Sequence, residues 1–160
     1  GILLNNEMDV FNVVPGVPNA YGLPADEANG LAPGQRMLSS MTPVIAFFPD
    51  GSLLVTGSPG GSRIPTAVLQ VLSNVIDHGM NVAEATHASR IHHQWQPDTL
   101  WHERGFSPDS LALLRKRGHK LSPQPAMGST QTVFWRDGIF YGSADPRRRG
   151  AAAVGAAVER

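Results

Sequence analysis

Thr56-Gly57-Ser58-Pro59-Gly60-Gly61-Ser62-Arg63-Ile64-Pro65 is a glycine-rich turn between a strand-like run and a helix-like run. Before it, Gly51-Ser52-Leu53-Leu54-Val55-Thr56 reads as a short apolar strand entered from an Asp50-Gly51 turn. After it, Ile64, Val68, Leu69, Val71, Leu72, Val75 and Ile76 recur near a 3.6-residue period, which predicts a helix with one apolar face. A turn in this setting leaves backbone N–H groups bare at a helix start, where the dipole adds partial positive charge, and so suits an anion. Adjacent glycines accept positive φ and let a reacting group come close to the main chain. Two consecutive N–H donors can then converge on one oxygen, as an oxyanion hole requires. A Walker-type phosphate loop needs Lys and then Ser or Thr after its last glycine, whereas Gly61 is followed by Ser62-Arg63. Taken alone, a Gly-Gly pair reads first as a tight structural turn.

The neighbouring segments give that turn a frame. Pro43-Val44-Ile45-Ala46-Phe47-Phe48 reads as a strand that forms a hairpin with Leu53–Thr56 through Pro49-Asp50-Gly51. Ser39-Ser40, just ahead of it, sets two hydroxyls side by side, each both donor and acceptor. Gln131-Thr132-Val133-Phe134-Trp135, Arg136-Asp137-Gly138 and Ile139-Phe140-Tyr141-Gly142 predict a second hairpin. Asn81 is placed to cap a short helix through Ala88, and Ser107-Pro108 to open another before Gly118. Arg90–Pro97 and Leu100–Glu103 have strand-forming composition. Val13–Gly34 is rich in Pro, Gly, Asn and Ala without a sustained period and reads as one long ordered loop. Asp145–Arg149 reads as a polar exit from the second hairpin. Hairpins interleaved with helices predict an α+β fold.

Composition narrows the function. The 160 residues are 41% hydrophobic, enough for one domain with a real core. Thirteen basic and thirteen acidic residues give zero formal net charge, which offers no global field for nucleic acid or an anionic membrane. There are no cysteines, hence no disulfide, thiolate metal site or thiol nucleophile. Four of the six histidines (His87, His92, His93 and His102) lie close together in sequence, but without His-x-x-x-His or His-Glu-x-x-His spacing. In a strand His92 and His93 point to opposite faces. No metal or cofactor is expected, and no run is long enough to span a membrane.

Several ordered stretches together resemble the small subunit of γ-glutamyltransferases: Gly1-Ile2-Leu3-Leu4-Asn5-Asn6-Glu7-Met8-Asp9, Leu38-Ser39-Ser40-Met41, Thr56–Arg63 and Asn81-Val82-Ala83-Glu84-Ala85. Pro15–Asn19, Phe106–Asp109, Met127–Gln131 and Asp145-Pro146-Arg147 add to it, so the resemblance covers residues 1–150 and leaves 151–160 as an Ala-rich tail. It implies an N-terminal-nucleophile hydrolase, a four-layer αββα sandwich cut from one precursor into a large and a small subunit. A threonine at the new N-terminus attacks the γ-amide carbonyl of glutathione-like substrates, and the glutamyl group passes to water or an amino acid. Gly60 and Gly61 match the family's oxyanion hole. Ser39 and Ser40 match the serines that bind the substrate α-carboxylate, and Glu7 the residue that contacts the α-amino group. The implied partner is the large subunit, and the family's usual setting is periplasmic or extracellular.

This sequence departs from the family in two places. All its threonines are internal, and by resemblance the nucleophile lies some thirty residues before Gly1. The chain is therefore expected to be a truncated small subunit, inactive alone. Val10 also stands where a second Asp is usual, which removes one charge-assisted bond to an α-amine. Asp9 would point the other way if the segment were extended. Two alternatives follow: a glutaryl- or cephalosporin-acylase-like amidohydrolase of the same family, or a silent fragment that binds a small anion.

Overall fold

The computed structural model describes residues 4–156. In chain order these form β1 (Val44–Phe47), β2 (Leu53–Gly57), α1 (Ile64–Ile76), α2 (Val82–His87), β3 (Ile91–His92) and β4 (Leu100–His102). They continue with α3 (Pro108–Lys116), β5 (Leu121–Pro123), β6 (Gln131–Arg136) and β7 (Ile139–Ala144). Short 3-10 turns occupy Glu7–Val10, Glu27–Asn29 and Gly61–Arg63. The fold is α+β. Of the apolar residues Ile2, Leu3 and Leu4 that open the sequence, the first two lie outside the described residues and Leu4 is exposed. Residues 151–156 carry neither helix nor strand.

Strands β1-β2-β6-β7 make one antiparallel sheet in that order. Both expected hairpins are present, and the second turns at Asp137 and Gly138 with φ of 52° and 79°. Positive φ at both positions gives a turn whose twist matches the strands, which is why Asp-Gly serves there. Across the sheet, Val44, Thr56, Thr132 and Ser143 fall in one register row. Thr56, Thr132 and Ser143 are buried, and the Thr56 and Thr132 hydroxyls hydrogen-bond at 3.0 Å. Helix α1 covers β2, and α2 covers β6 and β7.

The α1 core stripe is Ile64, Ala67, Val68 and Val71, the i, i+3, i+4, i+7 spacing of one helical face. Leu69 and Ile76, expected on the same face, are instead 62% and 54% exposed. Seven residues apart, they share a second stripe rotated away from the sheet. The other face of the sheet is also apolar and open: Ile45, Val55 and Val133 share a register row, with Phe47 and Phe140 beside it, and all five are exposed.

A smaller sheet holds β3 antiparallel to β4 and β4 parallel to β5. Its first strand is shorter than its composition predicts, because the backbone turns at Trp95, whose φ is 70°. The two capped helices are as expected. Asn81 and Glu84 form a reciprocal capping box on α2, and the Ser107 hydroxyl accepts from Ser110 N–H at the start of α3.

The polar exit at Asp145–Arg149 proves to be a buried ion cluster instead. Arg90 and Asp145 are 2% and 0% exposed and pair at 2.8 Å, while Arg147 pairs with both Glu103 and Asp145. Burial acts to raise the Glu103 carboxyl, but hydrogen bonds from Arg147 and from the Arg90 and Met127 N–H groups outweigh it and hold the group below its usual range. For Asp145 burial likewise acts upward and is overcome by the Arg147 N–H, Arg90 and the Thr130 N–H. Carboxyls depressed in the folded state stabilise it above their unfolded pKa, and this is lost as pH falls through the folded value. Two results are predicted. Glu103→Gln leaves the Arg90 and Arg147 guanidiniums to share Asp145 alone and costs about 3–5 kcal/mol in denaturant unfolding. Below pH of about 4, the melting temperature falls with pH more steeply in the native protein than in the variant.

Candidate active site

The Gly60-Gly61 turn is built from behind. Ser58 Oγ accepts from Ser129 N–H at 3.0 Å, and a Cβ on Gly60 would lie 3.5 Å from Gly128 Cα. Gly60 and Gly61 have φ of 141° and 57°, both in the region where only glycine is unstrained. The 3-10 turn Gly61–Arg63 runs directly into α1. Among the described residues, no acceptor takes a hydrogen bond from the N–H of Gly60 or Gly61. They are free donors at the positive end of a thirteen-residue helix.

In front of the turn is a cavity of about 450 Å³, lined by Gly61, Ser62 and Pro65 together with Glu7, Asp9, Val10, Ser39 and Ser40. Four of the five residues singled out from sequence, Glu7, Ser39, Ser40 and Gly61, thus meet in one place. Gly60 does not line the cavity; it sits one residue behind, against Gly128. Ser39 Oγ donates to Glu7 Oε1 at 2.6 Å and accepts from Met41 N–H at 3.2 Å. The segment carrying Glu7 is a 3-10 turn, not an extended strand, so alternation of faces does not apply to it. Glu7 and Val10 are three residues apart and eclipse one another. Asp9 also lines the cavity, held by Asn6 Nδ2 at 3.1 Å.

Sequence reasoning missed the residues that close the cavity. Tyr21, on the long Val13–Gly34 loop, lies over the turn; a Cβ on Gly61 would come within 2.2 Å of its ring. Two Asn side chains order that loop. Asn19 Oδ1 accepts from the Tyr21 and Leu23 N–H groups at 3.0 and 3.1 Å, and Asn29 Nδ2 donates to Val10 O at 2.6 Å. Gln94 reaches in from the segment after β3 and accepts from Ser62 Oγ at 2.8 Å. The signal for Tyr21 was an aromatic residue inside an Asn- and Gly-rich loop. For Gln94 there was none.

The clustered histidines are occupied otherwise. His92 is buried and stacks on Trp101 at 5.3 Å, while His93 faces outward to Asp98. Burial pushes the His92 imidazole below its usual pKa; its bond to Gln94 opposes this, and the positive charge of Arg63 adds to it. Among the described residues no three His, Asp or Glu side chains are grouped to hold a metal ion.

The comparisons with known proteins show the family. The family model for gamma-glutamyltranspeptidase matches residues 1–155. The chain belongs to the gamma-glutamyltranspeptidase family. It is 57% identical to the glutathione hydrolase proenzyme of Escherichia coli K12 over 148 residues, 92% of this chain and 26% of that protein. Against the Bacillus subtilis glutathione hydrolase proenzyme it is 37% identical over 155 residues, 95% of this chain and 24% of that one. The chain therefore spans about a quarter of the length of these curated relatives. Among solved structures, an acivicin-inhibited gamma-glutamyltranspeptidase superposes with a TM-score of 0.84 at 47% identity, covering 93% of this chain and 82% of that one. The T380A mutant of the Helicobacter pylori enzyme gives 0.83 at 48%, covering 92% and 82%. The fold is accordingly that of the N-terminal-nucleophile hydrolases.

Proposed function

We propose that these residues form the substrate-binding and oxyanion-stabilising part of a γ-glutamyl hydrolase or transferase acting on the γ-amide bond of glutathione-like substrates. The observation that carries the reading is the meeting of Glu7, Ser39, Ser40 and Gly61, from three distant segments, around one cavity at the N-terminus of α1. In this reading Ser40 and Ser39 donate to the substrate α-carboxylate, Ser39 by turning its one hydroxyl proton away from Glu7, and Glu7 and Asp9 face the α-amine. The carbonyl oxygen lies at the Gly60 and Gly61 N–H groups. As the nucleophile attacks, charge develops on that oxygen, and preorganised donors lower the barrier because they need not reorient.

Among the described residues no threonine lines the cavity, and in this reading the attacking hydroxyl is that of a threonine elsewhere in the full-length protein. The large subunit is the proposed partner. Its assignment draws on the relatives being proenzymes and on a solved neighbour described in terms of autoprocessing. The chain covers 82% of that solved chain but only 26% of a proenzyme, in keeping with its matching one product of processing. The open row Ile45, Val55 and Val133, with Phe47 and Phe140, is the face a second β layer of an αββα sandwich would cover.

Val10, lining the cavity beside Glu7, favours one second reading: a preference for acyl groups without the α-amine. Chromogenic anilides separate the two. The processed full-length protein is expected to prefer the γ-glutamyl over the glutaryl anilide by about tenfold or more, the worth of one charge-assisted bond. Equal or better turnover of the glutaryl anilide contradicts the γ-glutamyl assignment. The 160-residue chain alone is expected to turn over neither.

The turn can be tested separately from backbone strain. Gly61→Ala keeps the N–H but sets a Cβ against the Tyr21 ring, so the donor is displaced and kcat should fall by about a hundredfold, the size of effect seen when one oxyanion donor is lost. Gly79→Ala, at a similar φ of 64° with nothing within 4 Å of the new Cβ, should cost about 1–2 kcal/mol of stability and leave kcat unchanged. Equal kcat in the two variants removes Gly61 from the catalytic assignment.

A further inference from the structure

Gln94 uses all of its hydrogen-bonding capacity inside the site. Its Nε2 donates to Tyr21 O at 2.7 Å and to Gln96 O at 3.0 Å. Its Oε1 accepts from Ser62 Oγ at 2.8 Å and faces His92 Nε2 at 2.9 Å. The orientation of the amide is forced. Two main-chain carbonyls can only accept, so the NH₂ must face them, and Oε1 must then face donors. That requires the proton of His92 on Nε2. The Thr66 hydroxyl lies 2.7 Å from Nδ1 and 3.0 Å from the Arg63 carbonyl, so α1 itself seats the ring that fixes the amide.

The two groups Gln94 joins do different things. Ser62 follows the two glycines whose N–H groups are free, and Tyr21 carries the ring that lies on Gly61. The two are 41 residues apart in sequence and belong to separate segments. One amide side chain spans them and is itself seated on a third element, the exit of β3.

We propose that Gln94 is a positioning residue that fastens the Val13–Gly34 loop to the oxyanion turn, so that Tyr21 closes over Gly61 only while the turn holds its working shape. This rests on the acyl-transfer reading above. Gln94 touches no reacting atom; it acts through Ser62 on one side and through the Tyr21 main chain on the other. His92 fixes which way its amide faces. Because Nε2–H persists whether or not Nδ1 is protonated, the fastening does not depend on His92 ionisation.

The two arms can be cut one at a time in the processed full-length protein. Gln94→Glu keeps an acceptor for Ser62 but sets a carboxylate against the Tyr21 and Gln96 carbonyls, so it releases the loop arm. Ser62→Ala releases only the turn arm. With a γ-glutamyl anilide, Gln94→Glu should raise KM by about tenfold with kcat little changed, the size of effect expected for one or two hydrogen bonds. Amide hydrogen exchange, followed by mass spectrometry, should quicken in residues 19–24 and not in 57–64. Ser62→Ala should lower kcat by about fivefold to tenfold with KM unchanged, and quicken exchange in 57–64.

A matching loss of kcat in both variants, with no segment-specific change in exchange, means that Gln94 merely supports the fold and overturns the proposal. Unchanged exchange at 19–24 in Gln94→Glu overturns it as well. If the native enzyme fails on every γ-glutamyl anilide, the acyl-transfer reading fails. The exchange pattern still decides whether Gln94 fastens the loop.

Discussion

Everything in front of the site depends on an ion cluster behind it. Arg90 and Arg147 meet Glu103 and Asp145 out of solvent, where an unmatched charge would be intolerable, so each guanidinium must find carboxylates and carbonyls. In doing so they tie together the end of α2, through the Thr86 and Ala88 carbonyls, and the stretch after β5. Met127 is held at both ends, its N–H donating to Glu103 and its carbonyl accepting from Arg90. The next two residues, Gly128 and Ser129, back onto Gly60 and Ser58. The cluster thus backs the Gly60-Gly61 turn, through Met127, Gly128 and Ser129, without lining the cavity.

In front, the constraint is steric. Gly61 is required twice over, by its left-handed backbone and by the Tyr21 ring that occupies the space of a side chain. A turn so constrained leaves the Gly60 and Gly61 N–H groups without an acceptor among the described residues at the start of α1; under the proposed function they meet the acyl oxygen without having to reorient. The remaining walls come from segments remote in sequence, which explains why the site needs the long Val13–Gly34 loop folded back and pinned by Asn19 and Asn29.

What was legible in the sequence is what local chemistry dictates. The Asp-Gly turn at 137–138, the Asn81 and Ser107 caps and the α1 period all act within a few residues, and each appears where its residue types require. Gly61 was singled out by its glycine turn and Ser39-Ser40 as a pair of hydroxyls, but Glu7, and the link among all four, came through family resemblance, since no spacing rule links residues 7, 39 and 61. The ion cluster was not legible at all: Arg90, Glu103, Asp145 and Arg147 are separated by up to 57 residues, and each alone reads as a surface charge. The condition under which Asp9 would face away, an extended segment, is not met, because Asn5 and Asn6 turn it, through the Asn5 side chain and the Asn6 carbonyl, into a 3-10 helix. Strand β5 escaped notice because three residues ending in Pro123 show no alternation.

Leu69 and Ile76 on α1, and the Ile45–Val55–Val133 row, expose apolar surface, and the proposed large-subunit partner would cover it. The account turns on where the acyl oxygen sits. The most direct measurement is a crystal structure of the processed heterodimer bearing a covalently trapped γ-glutamyl analogue. The account predicts the acyl oxygen about 2.7–3.1 Å from the Gly60 and Gly61 nitrogens, with the α-carboxylate at Ser39 and Ser40. An acyl oxygen turned away from both glycines, or an analogue seated outside the cavity, would contradict it.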